Sequence, residues 1–581
     1  MTRTSIFLAV GLALLSSFAR ASYTTYHEKD WESVRNEAIE HLSFRFECLT
    51  PDNFAHGSPV ATVSLRNEHM TCERTFQVIL SLGSCASVMR TVTIAPGGTA
   101  SLSFPGCRTS ERYSSSGSLL IIDQTLPASK PYNRHLPIGF SHVSDINVLI
   151  GGGLSGETFG NSLKAGTNTL SVTGHSGRRV SHSGRRDYDI DTLTLERPAV
   201  DWPTDYRVYT TFDAVVVTPQ FRAAFPPEVL SALDDYQRLG GTVIDVSPDS
   251  LANPATALRI KRELAEAYTR LSHGRMVDEY SYSYRNDKNR TADLLRRIPL
   301  TVGSSLPIAT LIGILAFFAC VFVPTVVWIC AENNRRLHLL FILPGVSLVL
   351  AVVVGFIALL TYGVTPTQRL QAVTLLDQSA RRALTRGQFA VFSPRNVTDR
   401  IAFPSDAAIH YLNDSDTLSL VVTDALHPQG GWIKPLTATF FDYTRLARHA
   451  EKLEVKSVGP DTVTVDNLLG AKVTRGLLNF RGHTYTLGTI MPGEQVTLTG
   501  MPPPKPLATA EQAARYLLSE ESGYGGDWKK IRGTETEKVL TENAYVVYLE
   551  GSPFFASPFG DMMTKGSAEA MVIGALAEEA K

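Results

Sequence analysis

The chain has 581 residues, of which 44% are hydrophobic and 19% are charged, and its formal net charge is −1. These values are typical of globular domains, and the lack of a basic charge excess argues against nucleic acid as a partner.

The first 21 residues have the pattern of a secretory signal peptide. Arg3 precedes an apolar run over residues 5–18, and the segment ends at Ala21 with a small-x-small sequence. This pattern predicts export of the chain and removal of residues 1–21.

Residues 43–125 contain short runs in which apolar and polar residues alternate, with Gly, Pro and Asn between them. This alternation predicts strands, and their spacing predicts a small immunoglobulin-like β-sandwich. An even number of cysteines in an exported segment predicts disulfide bonds. All three possible pairings stay open for the four candidates, which are Cys48, Cys72, Cys85 and Cys107.

An apolar run over residues 146–150 is followed by Gly151, Gly153 and Gly156. This spacing is that of a dinucleotide-binding turn, but the next residues are rich in Gly, Asn and Thr, and no acidic residue follows at the required distance. The sequence therefore favours a glycine turn without a cofactor. Together with Thr218, these glycines mark the edge at which an α/β sheet would hold a small ligand.

Two further apolar runs, Phe212–Val217 and Gly241–Val246, lie on either side of a segment with helical spacing. Pro227 suits the first turn of this helix, and Gly240 suits its end. A strand–helix–strand order with continuous apolar strands predicts a parallel sheet covered on both faces.

The segment "DWPTDYRVYTTFDAVVVTPQFRAAFPPEVLSALDDYQRLGGTVIDV" (Asp201–Val246) resembles the flavodoxin-like module of the class I glutamine amidotransferase-like superfamily. In particular, it resembles the version found in uncharacterised bacterial membrane proteins. The resemblance implies a flavodoxin-like module over residues 140–280. That superfamily's chemistry needs a cysteine nucleophile, and residues 140–300 contain no cysteine. No catalytic residue is therefore predicted.

Metal binding is also weighed at two acidic segments. The carboxylates of residues 187–191 could hold calcium, but an acidic strand edge is favoured because no glycine-bearing ligand loop follows. Asp245, Ser247 and Ser250 resemble a metal-dependent adhesion site whose pattern is broken by Asp249. No metal ligand is predicted.

The runs Leu306–Cys330 and Leu339–Tyr362 contain no charged residue. Each is longer than the roughly 20 residues that a helix needs to cross a membrane. The short linker between them predicts an antiparallel transmembrane hairpin, with both flanks outside. The hairpin carries no ionisable residue in its core, which disfavours transport.

After the second run, a short helix is expected around Leu375 to Thr385. Strand-like stretches then predict a second β-sandwich-like domain over residues 386–500. Beyond the proline-rich spacer Met501–Pro506, residues 507–581 are expected to form an α/β segment.

The sequence thus predicts a multidomain fold of α/β plus all-β class: a β-sandwich, a flavodoxin-like parallel module, a two-helix transmembrane hairpin and a C-terminal β-sandwich-like domain. The predicted function is that of a non-enzymatic scaffold or ligand sensor, anchored in the inner membrane with both terminal domains on the periplasmic or extracellular side. The expected partners are the lipid bilayer, other integral membrane proteins and a small-molecule or glycan ligand.

Two alternatives stay open. The first is an envelope hydrolase or amidase whose site lies in the α/β module, at the carboxyl edge of the sheet near Gly151–Gly156 and Thr218–Gln220. The second is a glycan- or polymer-binding surface protein, for which exposed aromatic side chains would be the sign. Trp202 and Trp432 are the candidates for such a surface.

Overall fold

The computed structural model of the chain describes residues 32–33, 39–50, 53–54, 57, 59–82, 85–106, 117–125, 130–136, 139–140, 146–164, 170–171, 187–188, 190–251, 253, 255–264, 267, 312–313, 316–332, 339–362, 365–397, 401–413, 419–459, 461–502, 540–560 and 565–576. The predicted signal peptide, residues 1–21, lies outside these ranges.

The strands of the first half are β1 (Glu32–Ser33), β2 (Leu42–Cys48), β3 (Asn53–Phe54), β4 (Val60–Asn67), β5 (Arg74–Ser81), β6 (Ser87–Ile94), β7 (Thr99–Pro105), β8 (Gly117–Asp123), β9 (Tyr132–Leu136), β10 (Gly139–Phe140), β11 (Ile146–Ile150), β12 (Leu170–Ser171), β13 (Asp187–Tyr188), β14 (Ile190–Thr194), β15 (Ala214–Val217) and β16 (Thr242–Asp245).

The strands of the second half are β17 (Thr367–Asp377), β18 (Arg382–Phe392), β19 (Phe403–Pro404), β20 (Ala408–Tyr411), β21 (Ser419–Val422), β22 (Ala425–Gln429), β23 (Ala438–Arg448), β24 (Lys452–Ser457), β25 (Thr462–Leu468), β26 (Lys472–Phe480), β27 (His483–Leu487), β28 (Gln495–Thr499), β29 (Ala544–Glu550) and β30 (Lys565–Ala575).

The helices are α1 (Gly156–Lys164), α2 (Tyr206–Tyr209), α3 (Pro219–Ala223), α4 (Pro227–Arg238), α5 (Pro248–Leu251), α6 (Val323–Glu332) and α7 (Leu339–Tyr362). A 3₁₀ turn covers Ala199–Asp201, and a π-helical turn covers Phe318–Phe322.

The chain divides into two compact units. The first comprises Met1–Ser281, Ser419–Val422 and Glu511–Gly526, and the second comprises Tyr282–Leu418, Thr423–Ala510 and Asp527–Lys581.

The predicted fold class is wrong. Of the described residues, 47% are in strands and 21% in helices, and the strands form several sheets. The molecule is therefore mostly β, and a flavodoxin-like module with a transmembrane hairpin does not describe it. The physical reason is that antiparallel strand pairing dominates both units, whereas the parallel α/β arrangement is confined, among the described residues, to the sheet β14-β11-β15-β16.

The first unit contains a β-rich part and a smaller part with parallel strands. In the β-rich part, one sheet has the order β1-β2-β4-β7, and another contains β21-β6-β5-β8-β9. Alternate side chains of β5 are buried, as expected for a strand with one face on a core. The strands predicted within residues 43–125 are confirmed.

The parallel strands of the first unit have the order β14-β11-β15-β16. Apolar clusters cover both faces: Phe159 and Leu163 of α1 belong to the cluster on one face, and Leu233 and Tyr236 of α4 to the cluster on the other. All five residues of β11 are buried, because both faces of this strand are covered. The predicted helix between β15 and β16 is confirmed as α4.

The second unit is built around one sheet of order β20-β23-β18-β17-β30-β29-β26-β27, with a separate sheet of order β24-β25-β28. The last strand, β30, lies between β17, to which it is parallel, and β29, to which it is antiparallel. The two described strands of residues 507–581 therefore share a sheet with strands of the preceding segment.

The predicted transmembrane hairpin is corrected. Over the residues whose side chains are described, no helix is both long and apolar enough to cross a membrane. In the run Leu306–Cys330, a π-helical turn precedes α6, which has only ten residues. The run Leu339–Tyr362 forms α7, which contains Pro344.

The helix expected around Leu375 to Thr385 is also wrong. These residues form the end of β17, a turn over residues 378–381 and the start of β18. The buried hydroxyls of Thr374 and Thr385 lie 3.1 Å apart across the two strands. The long antiparallel pairing of β17 with β18 overrides the local helical preference of this segment.

A buried asparagine organises a turn in each unit in the same way. The Asn67 amide donates to the backbone oxygens of Cys72, Ile94 and Ala95 at 2.9–3.3 Å. The Asn467 amide donates to Ala471, Ile490 and Met491 at 3.0–3.1 Å. Each side-chain oxygen accepts the backbone N–H two residues further on. Both asparagines are 0% exposed.

The strands around the two asparagines pair in the same register. Asn67 faces Leu42 in β2, and Asn467 faces Leu453 in β24. On the other side, Val63 faces Leu102, as Val463 faces Leu498. The turns that follow, "IAPG" at 94–97 and "IMPG" at 490–493, each end in a glycine with positive φ. The strands β2-β4-β7 and β24-β25-β28 therefore share one plan, by which we mean the same strand pairing, register and asparagine-held turn.

The two copies of this plan differ in one buried pair. In the first unit, the Arg74 guanidinium donates to the Asp123 carboxylate, with Nε at 2.8 Å, and the two side chains are 2% and 0% exposed. Arg74 faces Ile94, as Val473 faces Ile490. Allowing for the bulge after Val473, Val547 takes the place of Asp123, and both valines are 0% exposed.

This comparison predicts the effect of removing the ion pair. Asp123→Val alone leaves a buried unpaired guanidinium, and we expect it to lower the free energy of unfolding by about 3–5 kcal/mol. The double variant Arg74→Met, Asp123→Val removes both charges, so we expect it to be more stable than this single variant. Calorimetry of the full chain tests the order. A double variant less stable than Asp123→Val would contradict it.

Candidate ligand-binding edge

The carboxyl ends of the four parallel strands meet at one edge of the sheet. Ile150 pairs with Thr194 on one side and with Val216 on the other, and Val217 pairs with Asp245. In parallel α/β sheets, ligands bind outside such an edge. The predicted residues Gly151, Gly153, Gly156 and Thr218 all lie there, so the structure brings this predicted set together.

Gly151 is required by packing. The Gly151 N–H donates to the Val216 backbone oxygen at 2.9 Å, which ties the turn to the neighbouring strand. A Cβ atom at this position would lie 2.1 Å from Cζ2 of Trp202, whose indole covers the glycine. Trp202 is 2% exposed and contacts the rings of Phe221 and Phe225.

The next two glycines turn the chain. Gly152 and Gly153 have φ angles of +76° and +77°, a region that side chains with a Cβ rarely adopt. A Cβ at Gly152 would lie 2.7 Å from Cβ of Phe221, whereas no atom lies within 4 Å of one at Gly153. Of the glycines in this turn, Gly153 is therefore the one with free space beside it.

The N-terminus of α1 is filled by the protein itself. The Gly156 N–H donates to Oγ1 of Thr194 at 2.9 Å. A Cβ at Gly156 would lie within 3 Å of the Thr192 and Thr194 hydroxyl oxygens. In dinucleotide-binding proteins, the N–H groups of this helix end donate to phosphate oxygens. Here a threonine hydroxyl occupies that role.

Thr218 serves as a helix cap. Its Oγ1 accepts the Phe221 N–H at 3.3 Å and donates to the Gly152 backbone oxygen at 3.4 Å. The side chain thus closes the first turn of α3 and holds the glycine turn against it. Because the residue is 6% exposed, its hydroxyl is part of the packing at this edge.

An ion pair provides the polar surface of the edge. The Arg222 Nη1 atom lies 2.6 Å from Oδ2 of Asp245, and the two side chains are 36% and 40% exposed. Asp245 therefore forms an ion pair with Arg222. The Ser250 hydroxyl donates to the Ser247 backbone oxygen at 2.7 Å and so closes a turn.

Among the described residues, no group of three or more His, Cys, Asp or Glu is arranged to hold a metal ion. Side chains of residues 187–191 are not part of the described set.

The cysteines of the first unit are placed as follows. Cys48 and Cys72 have free thiols, and Cys85 is buried. Cys107 lies outside the described residues. Burial raises the pKa of the Cys48 thiol to about 12, despite a neighbouring Thr50 hydroxyl at 3.9 Å. The disulfides expected among the four cysteines stay a prediction.

The two tryptophans suggested as a glycan-binding surface are buried. Trp202 is 2% exposed, and Trp432 is 0% exposed, stacked on Phe441 with ring centroids 6.1 Å apart. Neither side chain can offer its face to a sugar ring, so this pair of candidates is wrong.

Sequence reasoning missed two features of this edge. The helix α1 begins directly at Gly156, although its sequence, "GETFGNSLK", carries two glycines and an asparagine. The packing of Trp202 on Gly151 brings together residues 51 positions apart in the sequence. The only sequence feature that indicated this contact was the glycine itself, which leaves room for a neighbouring group.

No family model matches the chain, and no curated protein matches it either. Among solved structures, a yeast delta-COP-I mu-homology domain complexed with a Dsl1 WxWxV peptide is similar at 5% identity and a TM-score of 0.18, covering 36% of this chain and 96% of that one. A Paenibacillus cycloisomaltooligosaccharide glucanotransferase is similar at 12% identity and a TM-score of 0.17, covering 35% and 27%. A calcium-binding mutant of Bacteroides uniformis beta-glucuronidase 2 is similar at 8% identity and a TM-score of 0.13, covering 82% and 62%. Scores this low carry no argument about this chain.

Gly151→Ala tests whether packing determines the glycine turn. The added methyl group must displace Trp202, and we expect the unfolding free energy to fall by about 1–3 kcal/mol. Gly160→Ala is the matched control, because a Cβ there meets nothing within 4 Å inside α1. We expect this control to gain roughly 0.5–1 kcal/mol from helix propensity. Equal melting temperatures for the two variants would refute the packing argument.

A thiol-reactive dye tests the burial of Cys48. Because its pKa is raised to about 12, the reactive thiolate is scarce in the folded chain at pH 8. We expect Cys48 to be labelled only after unfolding, and the part-exposed Cys72 to be labelled in the folded chain. Peptide mapping by mass spectrometry distinguishes the two. Rapid labelling of Cys48 in the folded protein would contradict the structure.

Proposed function

We propose that the protein is a non-enzymatic scaffold or ligand sensor of the cell envelope, with a lipid bilayer and membrane proteins as its partners. The observation that carries the proposal is the exposure of apolar side chains on α6 and α7. Phe341, Leu348 and Val352 of α7 are 75%, 66% and 64% exposed, and Trp328 of α6 is 65% exposed.

The exposed side chains lie on several sides of α7. Phe341, Leu348 and Val352 share one side at helical spacing, while Ile342 and Val353, which are 37% and 44% exposed, lie about a quarter turn away. A helix that is apolar on every side is normally covered by protein or lipid. Leaving such side chains in water costs about 25 cal/mol per Å² of apolar surface.

A lipid bilayer is the partner that fits this surface best. It can cover several sides of a helix at once, whereas a protein partner usually covers one face. The sequence of α7, Leu339–Tyr362, contains no charged residue that would oppose contact of its side chains with an apolar surface. This supports lipid as the partner of the α6 and α7 side chains.

The non-enzymatic part of the proposal is supported by the candidate ligand-binding edge. Trp202 covers Gly151, the Thr194 hydroxyl takes the first N–H of α1, and Asp245 pairs with Arg222. The groups at this edge are engaged in holding the fold. Such an edge suits recognition at an exposed surface better than catalysis in a closed pocket.

Flotation of the full chain with phospholipid vesicles tests the lipid partnership. We expect the chain to float with the vesicles, and Val352→Glu to lower the floating fraction severalfold, because it places a charge on the exposed apolar side of α7. Val458→Glu is the matched control, since Val458 is 66% exposed but lies outside the helices. A chain that stays at the bottom with vesicles present would refute the proposal.

A further inference from the structure

A row of polar side chains crosses four neighbouring strands of the large sheet of the second unit. Gln371 of β17 pairs with Gln388 of β18 on one side and with Glu569 of β30 on the other. Gln388 in turn pairs with Asp442 of β23. Laterally paired residues project from the same face of a sheet, so these side chains lie side by side on one face. We call Asp442, Gln388, Gln371 and Glu569 the amide row.

The carboxylate at each end of the amide row has a basic neighbour. Oδ2 of Asp442 lies 3.7 Å from Nδ1 of His410, which pairs with it from β20. Oε1 of Glu569 lies 3.4 Å from Nη2 of Arg369. The side chains of Asp442 and Glu569 are 39% and 38% exposed, so a ligand can reach both ends of the row. Because each carboxylate already has a basic side chain beside it, a neutral ligand suits the row better than a charged one.

The centre of the amide row contains a buried carbonyl oxygen. Gln371 is 3% exposed, and its Oε1 atom has no hydrogen-bond partner in the part of the chain that the structure describes. Leaving such an acceptor buried without a donor costs about 1–3 kcal/mol. Buried polar groups of this kind are rare in folded proteins, and a donor from outside the chain accounts for them. The adjacent Gln388 is half-buried, so this oxygen lies beside the accessible part of the row.

We propose that the amide row binds a neutral oligosaccharide. An amide side chain offers one acceptor oxygen and two N–H donors, and a sugar hydroxyl both donates and accepts, so the two kinds of group match. One such hydroxyl supplies a donor to Oε1 of Gln371. From Asp442 to Glu569 the row crosses three strand spacings, roughly 14 Å, which is longer than one sugar ring. The ligand is therefore an extended chain of sugars.

This inference names a ligand class for the ligand-sensing part of the proposed function, and it rests on that part. Vesicle flotation measures the lipid partnership of α6 and α7, whereas saccharide titration measures the amide row. Either measurement can therefore fail without the other.

Calorimetric titration of the full chain tests the amide row. The probes are linear hexasaccharides of glucose, mannose, galactose and N-acetylglucosamine, each compared with its monosaccharide. We expect saturable binding of at least one hexasaccharide, about tenfold or more tighter than binding of its monosaccharide. Tetralysine is the competing probe, because a cationic ligand would use the two carboxylates instead of the amides. Failure of every hexasaccharide to bind, or saturable binding of tetralysine alone, would overturn the proposal.

Leucine variants separate loss of the site from loss of the fold. Gln371→Leu removes the buried oxygen, so its melting temperature should be equal to or higher than that of the unmodified chain. We expect Gln371→Leu and Gln388→Leu each to weaken hexasaccharide binding about tenfold or more. Gln368→Leu is the matched control and should bind normally, because Gln368 lies on the same strand as Gln371 but projects from the opposite face.

The comparison of these variants decides between a binding role and a structural role. If Gln371→Leu does not fold, Gln388→Leu at the half-buried position gives the answer alone. Hexasaccharide binding by Gln388→Leu that equals binding by Gln368→Leu would overturn the proposal.

Discussion

The hydrogen bonds of two buried asparagine amides underlie the β-rich parts of both units. Each amide donates to three backbone oxygens, and each side-chain oxygen accepts one backbone N–H. A backbone N–H that is buried without its acceptor costs about 1–3 kcal/mol, so an apolar residue in place of either asparagine would destabilise the turn. Asn67 and Asn467 thereby fix where a strand ends and where a distant turn closes upon it.

The register of the surrounding strands follows from this arrangement. Because the amide of Asn67 reaches both the chain just after β4 and the turn before β7, β4 and β7 can pair in only one way. Asn467 does the same for β25 and β28. With the register fixed, the rest of the core can change. One copy buries a charged pair, Arg74 with Asp123, where the other buries Val473 and Val547.

Local pattern was sufficient to predict many elements but not their assembly. Strands such as β5 and β15 were predictable from the order of apolar residues. Apolar residues alternate with polar ones in β5, whose burial alternates, and they are continuous in β15, which is buried throughout. The prediction for Leu375–Thr385 was wrong. A run rich in Leu, Ala and Arg favours a helix, but here its backbone hydrogen bonds are made in the 11-residue antiparallel pairing of β17 with β18. The shared plan of the two units was not visible, because only isolated positions, Asn67 with Asn467 and the two proline–glycine turns, keep their identity.

The candidate ligand-binding edge shows why glycine spacing alone is weak evidence for a cofactor. A glycine is needed wherever another group must approach the backbone closely, and a phosphate and an indole ring make the same demand. At Gly151 the approaching group is Trp202, and at Gly156 it is a pair of threonine hydroxyls. The sequence shows that these positions lack a side chain. Only the fold shows that other side chains of the same protein occupy the space.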